Sequence, residues 1–149
     1  MRAVCCPDKF RGSLSAIEAA ARMATGARAA GLEALSLPLA DGGEGTLDVL
    51  LATVGGRRER TAVSGPLGEP VEAEWGVLPD GTAVVEAARA AGLALVAGRN
   101  DPVSATTAGV GELLRAAAAA GARRALVGVG GSATTDGGLG AVEALGWSL

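Results

Sequence analysis

Strand, glycine-rich loop and helix follow one another in the same order several times along the chain. Its clearest example is the uninterrupted apolar segment 125–129, which leads into a loop of glycines, hydroxyls and one acid at 130–138. A helical pattern over residues 139–146 follows. Apolar strands that alternate with helices are typical of a parallel sheet buried on both faces. The sequence therefore predicts an α/β fold.

The first part of the chain follows the same order. Ser15 and Glu18 have the spacing of a capping box, which predicts a helix from there to about residue 30. The other elements predicted in this part are a buried strand at 2–6, a strand at 33–37 and a helix at 46–54.

In the middle of the chain, turns rather than helices join the strands. Apolar and polar residues alternate over 57–63 and over 71–77, as in strands with one buried face. Trp75 lies on the apolar face of the second strand, so we expect it in the core. Further predictions are a strand at 82–85, a short helix at 86–92 and a longer helix, capped by Ser104 or Thr106, that ends near residue 120.

Composition excludes several kinds of chemistry and partner. Because the chain of 149 residues has no histidine and no tyrosine, proton transfer must use carboxylates, the single lysine Lys9 or a cysteine. Its two cysteines, Cys5 and Cys6, are adjacent, which disfavours a disulfide and a zinc site and favours thiols in a core strand. A net charge of −3 and an aromatic content of 2% argue against nucleic-acid binding. With neither a membrane-span pattern nor a signal-peptide pattern, the expected location is the cytoplasm.

Two of the glycine-containing loops carry charged side chains. Lys9 and Arg11 lie just before a helix and suit a carboxylate or phosphate, although a solvated loop is a slightly better interpretation of these residues alone. In the loop at 41–45, Asp41 and Glu44 can hold Mg²⁺ or orient a substrate hydroxyl. The alternative is a turn in which Glu44 only favours the helix dipole, and the spacing does not decide between the two.

The third loop, at 128–138, has the layout of a phosphate-binding loop: a buried strand, then glycines and hydroxyls, then a helix. It lacks the Gly-Lys-Ser/Thr ending of a P-loop and the Gly-x-Gly-x-x-Gly fingerprint. Its glycine density favours a function, and Asp136 is the acid best placed to meet a metal or a hydroxyl. Glu86 ends an apolar strand and could point into a cleft, but a strand-end glutamate is usually solvated, which is the expectation here. Thr106 and Thr107 could donate hydrogen bonds to a phosphate, and capping explains them as well.

Taken together, these segments resemble the type 1 glycerate kinase family. Residues 7–16 resemble its N-terminal signature and residues 40–46 its second motif, while 64–68, 109–113 and 128–138 resemble later motifs in the same order. Three positions depart from the family pattern: Arg11 replaces the usual lysine, Val110 replaces a common threonine and Thr135 replaces a common asparagine. Because family members are more than twice as long, we expect this chain to be the N-terminal part of such a protein.

The resemblance implies a two-domain α/β architecture with the active site in the cleft between the domains. Residues 1–63 would belong to a discontinuous, restriction-enzyme-like domain, and residues 64–149 would begin an inserted flavodoxin-like domain that is incomplete here. The implied reaction transfers the γ-phosphate of ATP to D-glycerate, with 2-phosphoglycerate as the usual product.

The resemblance also guides the expected roles of individual residues. Lys9, Arg11, Ser13 and Glu44 would bind the substrate, with Lys9 also catalytic. Of Asp41 and Asp136, one would orient the attacking hydroxyl and the other would help to hold Mg²⁺. Phosphoryl transfer depends mainly on positioning and charge neutralisation, so it does not need histidine. The residues expected along the nucleotide phosphates are Gly130, Gly131, Ser132, Thr134 and Gly137.

Two other functions compete with the kinase. A chain with only part of a cleft would bind a small anion or sugar acid without catalysis. A flavin- or dinucleotide-binding oxidoreductase would share the α/β pattern, but the missing fingerprint and the scarcity of aromatic side chains disfavour it.

Overall fold

A computed structural model describes residues 1–148, and the chain divides into two compact units, Met1–Asp41 and Gly42–Leu149. Both units mix helices with strands, so the predicted α/β class is confirmed. The implied domain boundary between residues 63 and 64 stays a prediction. Within residues 1–148, no helix combines the length and the apolar character that crossing a bilayer requires.

The first unit is a strand–helix–strand motif made of β1 (Arg2–Cys5), α1 (Ala16–Ala29) and β2 (Glu33–Ser36). The two strands pair in parallel, as their connection through a helix allows. The predicted capping box begins α1, because the Glu18 amide donates to Ser15 Oγ at 3.2 Å and the Ser15 amide donates to Glu18 Oε2 at 3.0 Å. These three elements agree with the sequence predictions.

The prediction that the first strand is buried is wrong for most of its length. Cys5 is buried, but Val4 of β1 is 54% exposed and Leu35 of β2 is 52% exposed. The reason is that the described sheet of this unit has two strands, with one helix packed against them. Both thiols are free, Cys5 inside and Cys6 at the surface.

The second unit is built on a four-stranded mixed sheet in the order β3-β4-β5-β6. Strands β3 to β5 pair antiparallel through short turns, whereas β6 pairs with β5 in parallel after a long helical connection. Its elements are α2 (Thr46–Val54), β3 (Arg57–Ser64), β4 (Pro70–Val77), β5 (Ala83–Glu86), α3 (Ala88–Ala91), a 3₁₀ turn (Leu93–Val96), α4 (Ala108–Ala119), β6 (Ala125–Gly128) and α5 (Leu139–Ala144).

The core of this unit lies between one face of the sheet and α4. Trp75, as predicted, is buried in it with its alternate neighbours Ala73 and Val77, and Leu113 of α4 is buried in the same cluster. The indole Nε1 of Trp75 donates to Thr61 Oγ1 at 3.0 Å, which satisfies its one polar atom. Period-two alternation therefore identified the buried face of β4 correctly.

Strand β6 is parallel, as predicted, but it is not buried on both faces. Leu126 is 51% exposed and Val127 is 39% exposed. Within residues 1–148, β6 pairs with β5 along one edge and forms the end of the sheet. Its apolar composition therefore suits a covered strand, but no described element covers it.

Candidate functional site

In the first unit, the loop after β1 is a tight turn that presents Arg11. Leu14 donates its amide to the carbonyl of Phe10 at 3.1 Å, and Ser13 Oγ donates to the same carbonyl at 3.1 Å. The Ser13 hydroxyl therefore uses its proton inside the turn. Arg11 is exposed and forms no ion pair with residues 1–148, so its guanidinium is available to an anion.

Lys9, the other cation of this loop, is held by two carboxylates. Its Nζ donates to Asp41 Oδ1 at 3.1 Å and lies 3.6 Å from Asp8 Oδ2, and 16% of its side chain is exposed. Partial burial alone would lower the pKa of Lys9, but the hydrogen bond to Asp41 and the charge of Asp8 raise it above the ordinary value. Lys9 therefore stays charged and fixes the position of Asp41.

In the second unit, the acidic glycine loop leads directly into α2. Gly45 precedes the helix with φ +95° and supplies no capping side chain, while Thr46 Oγ1 donates to the Gly43 carbonyl at 2.7 Å. Glu44 is exposed at this helix start, where a carboxylate is favoured by the helix dipole.

The structure brings the two glycine loops of this unit into backbone contact. Gly130 donates its amide to the Gly42 carbonyl at 3.2 Å. A Cβ on Gly130 would lie 2.6 Å from the Gly43 Cα, and one on Gly128 would collide with the Gly42 carbonyl oxygen. Only glycine fits at so close an approach. Two segments that are more than eighty residues apart in sequence therefore form a single glycine-lined region.

Much of the 130–138 loop is fixed by hydrogen bonds to neighbouring segments. The Gly131 carbonyl accepts the Leu93 amide at 3.0 Å, and Ala133 donates to the Ala91 carbonyl at 2.8 Å. Thr134 Oγ1 donates to the Ala105 carbonyl at 2.6 Å, so its proton is already used. Gly131, Ser132 and Gly137 are exposed and present the accessible part of the loop.

Asp136 ties this loop to the starts of α4 and α5. Its Oδ2 accepts the Thr107 amide at 2.8 Å, the Thr107 hydroxyl at 2.8 Å and the Gly140 amide at 3.1 Å, while Oδ1 accepts the Gly138 amide at 3.0 Å. Partial burial would raise the pKa of Asp136, but these bonds, led by those from the Thr107 and Gly138 amides, hold it below its usual value.

The predicted cap of α4 is wrong. The residue before the helix is Thr107, not Ser104 or Thr106, and its side chain does not cap α4. Instead, Thr107 Oγ1 donates to Asp136 and accepts the Ala141 amide at 2.9 Å. Thr106 Oγ1 accepts the Ala108 amide at 3.1 Å.

Glu86 is the main candidate residue that the sequence did not reveal. The expectation that it is solvated is wrong. Its side chain is 1% exposed, and its carboxylate accepts the Leu47 amide at 2.7 Å and Arg89 Nε at 2.8 Å. The Arg89 guanidinium also lies 3.5 Å from Asp48 and 3.6 Å from Glu74. Burial would lower the pKa of Arg89, but Glu86 and these further carboxylates raise it. The only local signal in the sequence was an arginine three residues after a strand-end glutamate.

The described carboxylates can supply only part of the coordination of Mg²⁺. Among residues 1–148, no group of three or more histidine, cysteine or acidic side chains gathers around one point. Mg²⁺ commonly takes one or two carboxylates and completes its coordination with water and substrate phosphates. Asp41, with 57% of its side chain exposed, suits this arrangement better than Asp136, whose carboxylate already accepts four hydrogen bonds.

The mixed sheet and the paired glycine loops define an α/β protein with a candidate anion-binding region at the ends of its parallel strands. The model of the glycerate kinase family matches residues 3–149. This chain belongs to the glycerate kinase family.

Relatives with known names support this membership. The chain is 48% identical to a Bacillus subtilis glycerate kinase and 46% identical to an Escherichia coli glycerate 2-kinase, in each case over 100% of this chain and 40% of the relative. A solved structure of glycerate kinase 2 from Salmonella typhimurium LT2 superposes with a TM-score of 0.79 at 42% identity, covering 98% of this chain and 41% of that one. The chain thus spans about 40% of the length of the curated relatives it matches.

Proposed function

We propose that this chain serves in the ATP-dependent phosphorylation of D-glycerate, which yields phosphoglycerate and ADP. The observation that carries the proposal is the backbone contact between the two glycine loops, at Gly42–Gly43 and Gly128–Gly130, in a chain of the glycerate kinase family. Such closely packed loops before helices offer backbone N–H groups to phosphate oxygens.

In the first unit, we assign substrate binding to the turn at residues 8–13. Arg11 is exposed and carries a planar guanidinium that pairs with a carboxylate through two hydrogen bonds. Lys9 keeps its charge and holds Asp41 at 3.1 Å, so the carboxylate of Asp41 has a fixed orientation. Ser13, exposed on the same turn, completes the proposed substrate-binding residues of this unit. Glu44, exposed at the start of α2, is the substrate-binding candidate of the second unit.

In the second unit, we assign the nucleotide phosphates to the loop at 130–138. The loop offers hydrogen-bond donors to the phosphates at three exposed residues, Gly131, Ser132 and Gly137. Gly130 sets the shape of the loop through its contact with Gly42. Thr134 contributes by holding the loop, because its hydroxyl proton goes to the Ala105 carbonyl.

We propose Mg²⁺ as the accompanying metal, with Asp41 as the principal protein ligand. When bound, Mg²⁺ supplies neutralisation of the phosphate charge. Asp136 keeps the start of α5 and the phosphate loop in place, and its Oδ1, which accepts one hydrogen bond, retains a lone pair for a metal or a hydroxyl.

The proposed product is the 2-phosphate. The support is the 46% identity to the Escherichia coli protein named glycerate 2-kinase. Product analysis by ³¹P NMR distinguishes the 2-phosphate from the 3-phosphate.

The test is ADP release with D-glycerate and MgATP, measured on this chain and on the product of its whole reading frame. Arg11→Gln is expected to raise the KM for glycerate about tenfold or more, because a charge-assisted pair contributes about 1.5–3 kcal/mol. Arg22→Gln, an exposed arginine on α1, is the matched control and should leave the KM unchanged. Equal KM values for the two variants would remove Arg11 from the substrate site.

A non-catalytic anion-binding module is the second candidate, and the observation that favours it is the 40% coverage of the relatives. Calorimetric binding of glycerate without any ADP release from either protein would support the module and overturn the kinase.

A further inference from the structure

The buried carboxylate of Glu86 has no part in the proposed chemistry. It lies at the last residue of β5 and is 1% exposed. Burying a carboxylate is costly unless charged or hydrogen-bonding partners offset the loss of water. The partners of the two carboxylate oxygens therefore indicate which parts of the fold Glu86 holds in place.

One partner is the start of α2. The Leu47 amide, in the first turn of this helix, donates to Glu86 Oε1 at 2.7 Å. Gly45, the residue before the helix, offers no side chain to cap it. Glu86 therefore acts as the capping carboxylate of α2 from a position 39 residues further along the chain, and it is favoured there by the helix dipole.

The backbone beside Glu86 is tied to the other glycine loop. Ala87 donates its amide to the Gly128 carbonyl at 2.8 Å, and Glu86 pairs with Gly128 in the β5–β6 register. Gly128 is also one of the glycines that close on Gly42. Contacts consequently form a ring from β5 to α2, through the two glycine loops, and back to β5.

Arg89 fixes the second oxygen of Glu86. Its Nε donates to Glu86 Oε2 at 2.8 Å, and its guanidinium is itself held between Asp48 and Glu74. This second bond holds the carboxylate where its other oxygen meets the Leu47 amide.

We propose that Glu86 is a positioning residue that sets the Gly42–Gly45 loop and the first turn of α2 against the Gly128–Gly130 segment, so that the two glycine loops keep the spacing needed to hold phosphates. Its relevance to catalysis rests on the proposed kinase function, whereas its effect on the loops does not.

The first experiment is amide hydrogen exchange of the ligand-free protein with Glu86→Gln. Glutamine keeps the shape but removes the charge that Arg89 and the Leu47 amide meet. We expect exchange at the hydrogen-bonded amides of Thr46 and Leu47 to rise about tenfold, the factor for a loss of about 1.4 kcal/mol, while the amides of β4 change by less than about twofold.

Glu112→Gln is the matched control. Glu112 also accepts a distant backbone amide, that of Ser64 at 2.7 Å, but it joins α4 to the end of β3 instead of to the glycine loops. Glu112→Gln should leave exchange at the Thr46 and Leu47 amides unchanged. If Glu86→Gln does not fold, Arg89→Lys keeps the charge, loses the fork of the guanidinium and should raise exchange at the same amides to a smaller extent.

The second experiment is the kinetics of the whole reading-frame product. Glu86→Gln should raise the KM for ATP and lower kcat, each by about tenfold. The KM for glycerate should stay within about threefold of the parent value. An inactive parent protein would defeat the proposed function and leave the exchange test standing. Unchanged exchange at the Thr46 and Leu47 amides in both the Glu86 and the Arg89 variants would overturn the positioning role.

Discussion

Asp136→Ala is expected to destabilise the second unit strongly, whatever its effect on catalysis. The substitution removes the acceptor of three backbone amides and of the Thr107 hydroxyl, at the starts of both α4 and α5. Losing one helix cap costs about 0.5–2 kcal/mol, and here two helix starts lose their acceptor in a partly buried place. We therefore expect a loss of about 3 kcal/mol in the free energy of unfolding.

The assay is urea and thermal unfolding at pH 7, followed by circular dichroism. For a protein of about this size, a loss of 3 kcal/mol lowers Tm by about 6–12 °C. Asp136→Asn keeps one acceptor oxygen and should lose about 1 kcal/mol. Asp101→Ala is the control, because this exposed carboxylate accepts the amides of Val103 and Ser104 within a single loop and should have a smaller effect than Asp136→Ala.

Two results would refute this reasoning. A loss below about 1 kcal/mol for Asp136→Ala would mean that water replaces the carboxylate at both helix starts. A loss no larger than that of Asp101→Ala would mean that linking α4 to α5 adds nothing to ordinary loop capping. If either result came with abolished turnover, the direct chemical role of Asp136 would be favoured.

Two further predictions concern packing and pH. Gly130→Ala should lower the free energy of unfolding by about 1–3 kcal/mol, because its Cβ would overlap Gly43, whereas Gly26→Ala in α1 has open space and should raise it by up to about 1 kcal/mol; urea unfolding measures both. Hydrogen bonds from Arg60 and Arg58 lower the pKa of Glu74 in the folded state, so its contribution to stability is present above its unfolded pKa and is lost as pH falls through the folded pKa. The stability difference between the parent and Glu74→Gln should therefore be largest near pH 7 and shrink below about pH 4, and a difference that grows on acidification would contradict the assignment.

Features governed by neighbours in sequence could be predicted from sequence alone. The capping box of Ser15 and Glu18 begins α1, the predicted helix at 46–54 is α2, and the alternation around Trp75 identifies the buried face of β4. Each depends on residues within a few positions of one another, where period and capping chemistry decide the conformation.

Features that depend on distant partners could not be predicted in this way. Glu86 looked like a solvated strand end, because the Leu47 amide that it caps lies 39 residues earlier. Strand β6 looked buried from its composition, but burial depends on what covers a strand, and Leu126 is half exposed at the end of the described sheet. In both cases the residue type limits the environments in which the side chain is stable. The tertiary arrangement decides which partners and which degree of burial it has.

The glycine pattern that first indicated a binding loop has two physical causes. Gly128 and Gly130 are required by close packing against Gly42 and Gly43, so their presence alone does not indicate a ligand. Exposed Gly131 and Gly137 have positive φ, a backbone conformation that favours glycine, whereas packing does not require them: a Cβ on Gly131 would lie 3.5 Å from the Ala88 Cβ, an ordinary contact, and one on Gly137 would meet open space. Both groups therefore have a structural reason to be glycine, close packing in one and backbone conformation in the other, and the glycine pattern alone does not indicate a ligand. Substituting each group separately tests the difference: variants of Gly128 and Gly130 should lose the most stability, and variants of Gly131 and Gly137 should lose nucleotide affinity beyond what their smaller loss of stability accounts for.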